Sequence, residues 1–157
     1  MRKKYLLLFC LAITLLCSII NYTAPIGVLA DAAAEIAMEL STGTVLSESN
    51  ADCKLPMAST TKIITAIIII EDCDLDEILT VDDKAVGVEG SSIYLKQNEE
   101  IDVRDLLYGL MLRSGNDSAC ALAIHHSGSV EKFVEIMNAR VKEMGAESTS
   151  LKNPSGL

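Results

Sequence analysis

The sequence predicts an α+β fold in which a β-hairpin precedes a helical body. Three observations carry that reading. Residues 35–49 alternate apolar and polar on either side of Ser41-Thr42-Gly43. Three later segments turn to helical periodicity, each behind a capping or turn residue. Half of the 157 residues are apolar and only 22% charged, with 3 Pro and 9 Gly, so the chain can bury a core and is neither a polyelectrolyte nor a repetitive fibre. The length fits one domain of ordinary size.

In chain order, Arg2-Lys3-Lys4 precede an apolar stretch from Tyr5 to Ile20, then a looser segment ending Val28-Leu29-Ala30. A basic front, a short apolar run and a small residue before a cut make residues 1–30 a signal peptide, with residues 31–157 as the exported domain. The stretch is shorter than the roughly 20 residues of a spanning helix, and an uncleaved anchor is the alternative. Leu16 in front of Cys17 argues against lipid attachment there. The three basic residues are the only charges before residue 31, leaving 10 basic against 22 acidic side chains, a net charge of −12. So acidic a surface repels phosphate backbones and excludes nucleic acid as a partner.

Ile36, Met38 and Leu40 alternate with Glu35, Ala37 and Glu39 as in a half-buried strand, and Thr44 to Ser47 continues as its partner. Residues 50–58 read as loop, with Pro56 as a breaker. The run Ile63–Ile70 favours a strand by propensity alone, but periodicity does not separate a buried strand from a buried helix. Glu71 to Lys84 is acidic and solvated, with a short strand at Ile78–Val81, and Gly90-Ser91-Ser92 is a tight loop. Asp102 caps a helix whose Val103, Leu106, Leu107 and Leu110 share a face, ending near Arg113. Asp117 to His126 is Ala-rich and helical, stopped by Gly128. Ser129 caps a last helix carrying Val130, Phe133, Val134, Met137, Val141 and Met144 on one side, closed by Gly145.

Of five cysteines, Cys53, Cys73 and Cys120 remain after cleavage. Cys120 reads as a small apolar helix residue, and whether Cys53 and Cys73 pair is left open. No C-x-x-C spacing accompanies His125 and His126, so neither a metal nor a cofactor is expected.

A Ser three residues before a Lys recurs by chance about once in a chain of this size, and here it occurs twice. In Ser129-Val130-Glu131-Lys132 the serine has a capping role and the lysine lies opposite the Phe133 face. Ser59 and Lys62 differ in setting. Were Ser59 to start a helix, the two side chains would share one face; in a strand they would point apart. Burial by the isoleucines next in the chain disfavours a charged Lys62. To act as a base near neutrality its pKa must fall about 3 units from roughly 10.4, a differential stabilisation of about 4 kcal/mol. A neutral amine could then take the proton of Ser59 and make it an acyl-transfer nucleophile. Ser114-Gly115-Asn116, between two helices, is either a plain turn or a hydroxyl and amide serving that chemistry.

These residues in order resemble the serine D-alanyl-D-alanine carboxypeptidases, the low-molecular-weight penicillin-binding proteins of peptidase S11 type. The resemblance runs through Ser41-Thr42-Gly43, Asn50-Ala51-Asp52, Pro56-Met57-Ala58-Ser59-Thr60-Thr61-Lys62, Gly90-Ser91-Ser92, Leu106-Leu107-Tyr108-Gly109-Leu110, Ser114-Gly115-Asn116-Asp117, Met137-Asn138, Gly145 and Asn153-Pro154-x-Gly156-Leu157. It implies a β-lactamase/transpeptidase-like fold with Ser59 as acylated nucleophile, Lys62 as proton acceptor, Ser114 as the second catalytic hydroxyl and Asn116 as a substrate-binding amide. The implied substrate is the peptidoglycan stem pentapeptide, losing its terminal D-alanine. β-Lactam antibiotics would be inhibitors, and the location the outer face of the cytoplasmic membrane, the cell wall or the periplasm. Membrane contact would come only through the signal peptide or a C-terminal anchor absent here.

Two departures stand out. Ser155 takes a place where His is common in such proteins, a change expected to touch only local loop packing. Leu157 comes before any Lys-Thr-Gly segment, which in the family lies on a strand beside the nucleophile, binds the substrate carboxylate and gives one of two backbone oxyanion donors. Loss of one such donor costs roughly 100- to 1000-fold in rate. The resemblance therefore covers the N-terminal part of the domain, without the C-terminal strands of the sheet that would pair with residues 35–49. Weak or no activity is expected of the 157 residues alone. A β-lactamase of the same superfamily would need a further carboxylate for deacylation, for which no candidate follows Asn116. A non-catalytic wall-binding domain is the third reading.

Overall fold

A computed structural model describes residues 32–157, so the segment read as a signal peptide lies outside the described residues. Among those residues no helix is long and apolar enough to cross a membrane. The chain forms two compact units, the second running Lys54–Leu157.

The first unit is the expected hairpin, with β1 (Glu35–Met38) antiparallel to β2 (Val45–Ser49). Its turn is organised by Glu39, whose carboxylate accepts the N–H groups and hydroxyls of Ser41 and Thr42. Those bonds, the Ser41 and Thr42 hydroxyls first, hold its pKa down at about 2. Gly43 supplies the left-handed residue at φ 70°. Thr44 belongs to the turn, its carbonyl accepting from Glu39 N–H at 2.8 Å. The second strand consequently starts one residue later than predicted and reaches Ser49. The half-buried reading of Ile36, Met38 and Leu40 is corrected: all three are exposed, Leu40 completely. Alternation gives a ribbon two faces, but a two-stranded unit has no second layer to cover either.

In the second unit the isoleucine run is a helix, α1 (Thr61–Asp72), entered through a 3-10 turn at Ala58–Thr60. Its burial has helical spacing: Thr61, Lys62, Thr65, Ala66, Ile68 and Ile69 are buried, while Ile63 and Ile70 face out. A short antiparallel pair comes next, β3 (Ile78–Thr80) with β4 (Glu100–Asp102), in register Ile78 to Asp102 and Thr80 to Glu100. β4 went unread in the sequence, since three residues are too few to display a period. Asp102 then caps α2 (Val103–Leu112), accepting from Asp105 N–H at 2.7 Å. α3 (Asn116–Ser127) ends at Gly128, left-handed at φ 78°. Ser129 caps α4 (Val130–Glu143), its hydroxyl accepting from Lys132 N–H at 3.3 Å.

The core lies between α1, α2, α3 and α4, with Ile68, Ile69, Leu106, Leu110, Leu122, Phe133 and Met137 all but inaccessible. α3 is small-sided there: Ser118, Ala119, Ala121 and Ala123 are buried, which lets α2 approach closely at Gly109. A Cβ on Gly109 would sit 2.8 Å from the Ser118 hydroxyl. Cys53, Cys73 and Cys120 are free thiols. Cys120 packs half-buried as expected; burial foremost pushes its thiol up to about 11.

Candidate active site

The 3-10 turn passes directly into α1, so Ser59 and Lys62 lie three residues apart on one continuous helical face. Ala58, just before, is held left-handed at φ 46°, an uncommon state for a residue with a Cβ. Lys62 is 3% exposed, and its Nζ donates to Ser59 Oγ at 3.2 Å and to the carbonyl of Ser155 at 3.0 Å. Burial lowers its pKa from the ordinary lysine value, because a desolvated ammonium is disfavoured.

Ser114 closes the cluster from the α2–α3 connection, its Oγ donating to Ser59 Oγ at 3.1 Å. It too is left-handed, at φ 55°. Strained backbone at Ala58 and at Ser114 thus aims two hydroxyls at one point, a concentration typical of sites that do chemistry. The result is an exposed hydroxyl touched by a buried amine and a second hydroxyl, an arrangement able to take a proton from the first oxygen and return one through the other.

Asn116 stands differently. Its Nδ2 donates to Glu89 O and its backbone N–H to Ser91 O, both at 2.7 Å. The structure records no bond from it to Ser59, Lys62 or Ser114; it is held against the 89–91 loop beside them. Gly90 is required there, since a Cβ would lie 2.6 Å from Asn116 Nδ2.

Three participants were not legible in the sequence as site residues. The carbonyl of Ser155 is one, and every residue type carries a carbonyl. The Ser155 side chain binds only Asn153 Oδ1, as the local-packing expectation had it. Asn153 is the second: its Oδ1 also accepts from the N–H groups of Ser155 and Gly156, folding the 153–157 turn under the nucleophile. Gly156 abuts Ala58 so closely that a Cβ would fall 1.8 Å from its carbonyl oxygen, and Thr65 Oγ1 ties the same turn to α1 through Pro154 O at 2.7 Å. The third is Asp117, 1% exposed and bonded to Ser92, Ile93, Leu95 and Ser118. Burial raises its pKa, but those hydrogen bonds outweigh it and hold the carboxyl below its ordinary value. Its position in the first turn of a helix was the available signal.

With this geometry in place, comparison with known proteins is decisive. Residues 22–157 match the family described as D-alanyl-D-alanine carboxypeptidase. The chain belongs to that family. It is 40% identical over 132 residues to the D-alanyl-D-alanine carboxypeptidase DacF of Bacillus subtilis, covering 81% of this chain and 34% of DacF. The crystal structure of the D-alanyl-D-alanine carboxypeptidase DacD from Francisella tularensis superposes with a TM-score of 0.77 at 34% identity, over 85% of this chain and 34% of that one. Penicillin binding protein 5 from Haemophilus influenzae gives 0.74 at 32% identity, over 79% and 38%. The chain thus spans about a third of the length of the curated relatives it matches. The predicted α+β, penicillin-binding type of fold is the fold of these neighbours.

Proposed function

We propose that this carboxypeptidase-family chain carries the acylating apparatus of a serine-type D-Ala-D-Ala carboxypeptidase acting on peptidoglycan stem pentapeptides. The Ser59–Lys62–Ser114 hydrogen-bonded cluster is the observation that carries the reading. Ser59 Oγ attacks the carbonyl carbon of the penultimate D-alanine while its proton passes to the neutral Nζ of Lys62. The bond to the terminal D-alanine nitrogen breaks, and Ser114 relays a proton to that leaving amine. Water then hydrolyses the ester and restores Ser59. Proton transfer of this kind contributes about 10²- to 10⁴-fold.

The Ser155 carbonyl supports the role given to Lys62. Accepting one N–H, it leaves the lone pair of a neutral amine free to face Ser59, and it remains a partner once the amine is protonated. Asn116, its Nδ2 occupied by Glu89, keeps its amide oxygen for a substrate N–H. A β-lactam presents the same kind of acyl carbon to Ser59. The layout of residues 1–30 supports export, placing the domain of residues 31–157 at the outer face of the membrane, in the wall or in the periplasm.

The test is intact-mass analysis, after prolonged incubation with a fluorescent penicillin at saturation, of a form of the chain extended at its C-terminus to the length of its relatives. One covalent adduct mapping to Ser59 and missing in Ser59→Ala is expected. An adduct that survives Ser59→Ala, or none at all, overturns the reading.

A further inference from the structure

We infer that Asp117 is a positioning residue for Asn116, acting through the 89–95 loop; the inference deepens the proposed function and rests on it for its consequence in acylation. The carboxylate is buried and gathers donors that come almost wholly from that loop. Oδ2 accepts Ser92 Oγ at 2.6 Å and Leu95 N–H at 3.1 Å, and Ile93 N–H is shared between both oxygens at 3.1 Å. Only Ser118 N–H, at 2.9 Å to Oδ1, is local to the helix. One side chain of α3 therefore fixes residues 92–95 to the start of that helix.

The same loop runs back over Asn116 immediately upstream. Its backbone N–H and its amide nitrogen end on carbonyls of residues 91 and 89. Gly90 lies against the amide with no room for a Cβ. Asn116 and Asp117 are thus adjacent halves of one two-way clamp: Asn116 donates to the loop, and Asp117 accepts from it. Without the acceptor, four loop and helix donors lose their partner, and the carbonyls that orient Asn116 lose their anchorage. An anion in the first turn of a twelve-residue helix is also where its dipole favours one.

Asp117→Asn keeps the shape but turns an N–H toward the donors. In the full chain, amide hydrogen exchange at Asn116 should accelerate about ten-fold or more, with Leu122, deep in the same helix, unchanged. Ser92→Ala, which removes one donor to the carboxylate together with the acceptor of the Tyr94 N–H, should give a smaller acceleration at the same amide and serves if Asp117→Asn does not fold. Retained protection of Asn116 in both variants overturns the proposal. Penicillin acylation of the C-terminally extended form, the parent here, supplies the second readout. Asp117→Asn should slow it about ten-fold in the parent and less than about two-fold in an Asn116→Ala background, since the effect passes through Asn116. Equal losses in both backgrounds mark Asp117 as merely structural and overturn the positioning role. A parent chain with no Ser59 adduct at all defeats the proposed function, whereas the exchange result still decides the clamp.

Discussion

Ser59-Thr60-Thr61-Lys62 and Ser129-Val130-Glu131-Lys132 share one spacing and meet opposite fates. In the second, Ser129 stands just outside α4, its hydroxyl turned back to accept the backbone N–H of Lys132, while the lysine side chain runs into solvent. In the first, Ser59 lies within the 3-10 turn, so backbone donors do not claim its hydroxyl and the Lys62 amine reaches it instead. The two lysines also differ in burial. Lys62 is buried with its amine on the Ser155 carbonyl, whereas Lys132 belongs to the polar, exposed side of an amphipathic helix. Spacing brings two side chains onto one face; burial and the serine's place relative to the helix start decide whether they meet.

The sharpest break in the comparison comes from the two serines. Ser59→Ala should abolish penicillin adduct formation, a loss of more than about 10³-fold by mass spectrometry, whereas Ser129→Ala should leave the rate unchanged. Next are the lysines. An arginine cannot give up its proton, so Lys62→Arg should slow acylation by about 10²- to 10⁴-fold in stopped-flow labelling, and Lys132→Arg should not.

The pH profile sharpens the same contrast. In the proposed mechanism the reactive form of Lys62 is the neutral amine, so labelling should rise with pH, about ten-fold per unit below the lysine's pKa, and level off above it. Because burial depresses that pKa, the plateau should begin below the ordinary lysine range of about 10.4. Gly156→Ala forces a Cβ onto the Ala58 carbonyl at a left-handed position and should cost about 2–4 kcal/mol in denaturant unfolding, with slowed labelling. At Gly145, equally left-handed but with nothing within 4 Å, the same change should cost only about 1 kcal/mol and spare labelling. The stability cost of Ser129→Ala should be as small, about 1 kcal/mol for a lost cap.

Much of the fold was legible because its signals are local. Asp102 and Ser129 cap helices through their own side chains, and Gly128 ends one by its own φ. The isoleucine run was ambiguous by propensity, and its helical state agrees with Lys62 having to share a face with Ser59. The exposure of Ile36 and Met38 was not legible, because alternation reports that a strand has two faces and not what covers them. Within the site, Ser59, Lys62 and Ser114 could be named since each contributes a side chain with intrinsic chemistry. The Ser155 carbonyl, the Pro154 carbonyl and the Asp117 clamp join residues 22 to 93 positions apart, through backbone groups that nearly every residue type possesses.

An uncharged Lys62 beside Ser59 is the central requirement of the proposed chemistry, and its titration is the most direct measurement. With lysine side chains isotopically labelled and the Lys62 resonance assigned by its loss in Lys62→Gln, NMR titration should give a midpoint below the ordinary value of about 10.4, coincident with the midpoint of the acylation rate. A Lys62 that titrates at or above that value, in a chain whose Ser59 still acylates, would contradict it.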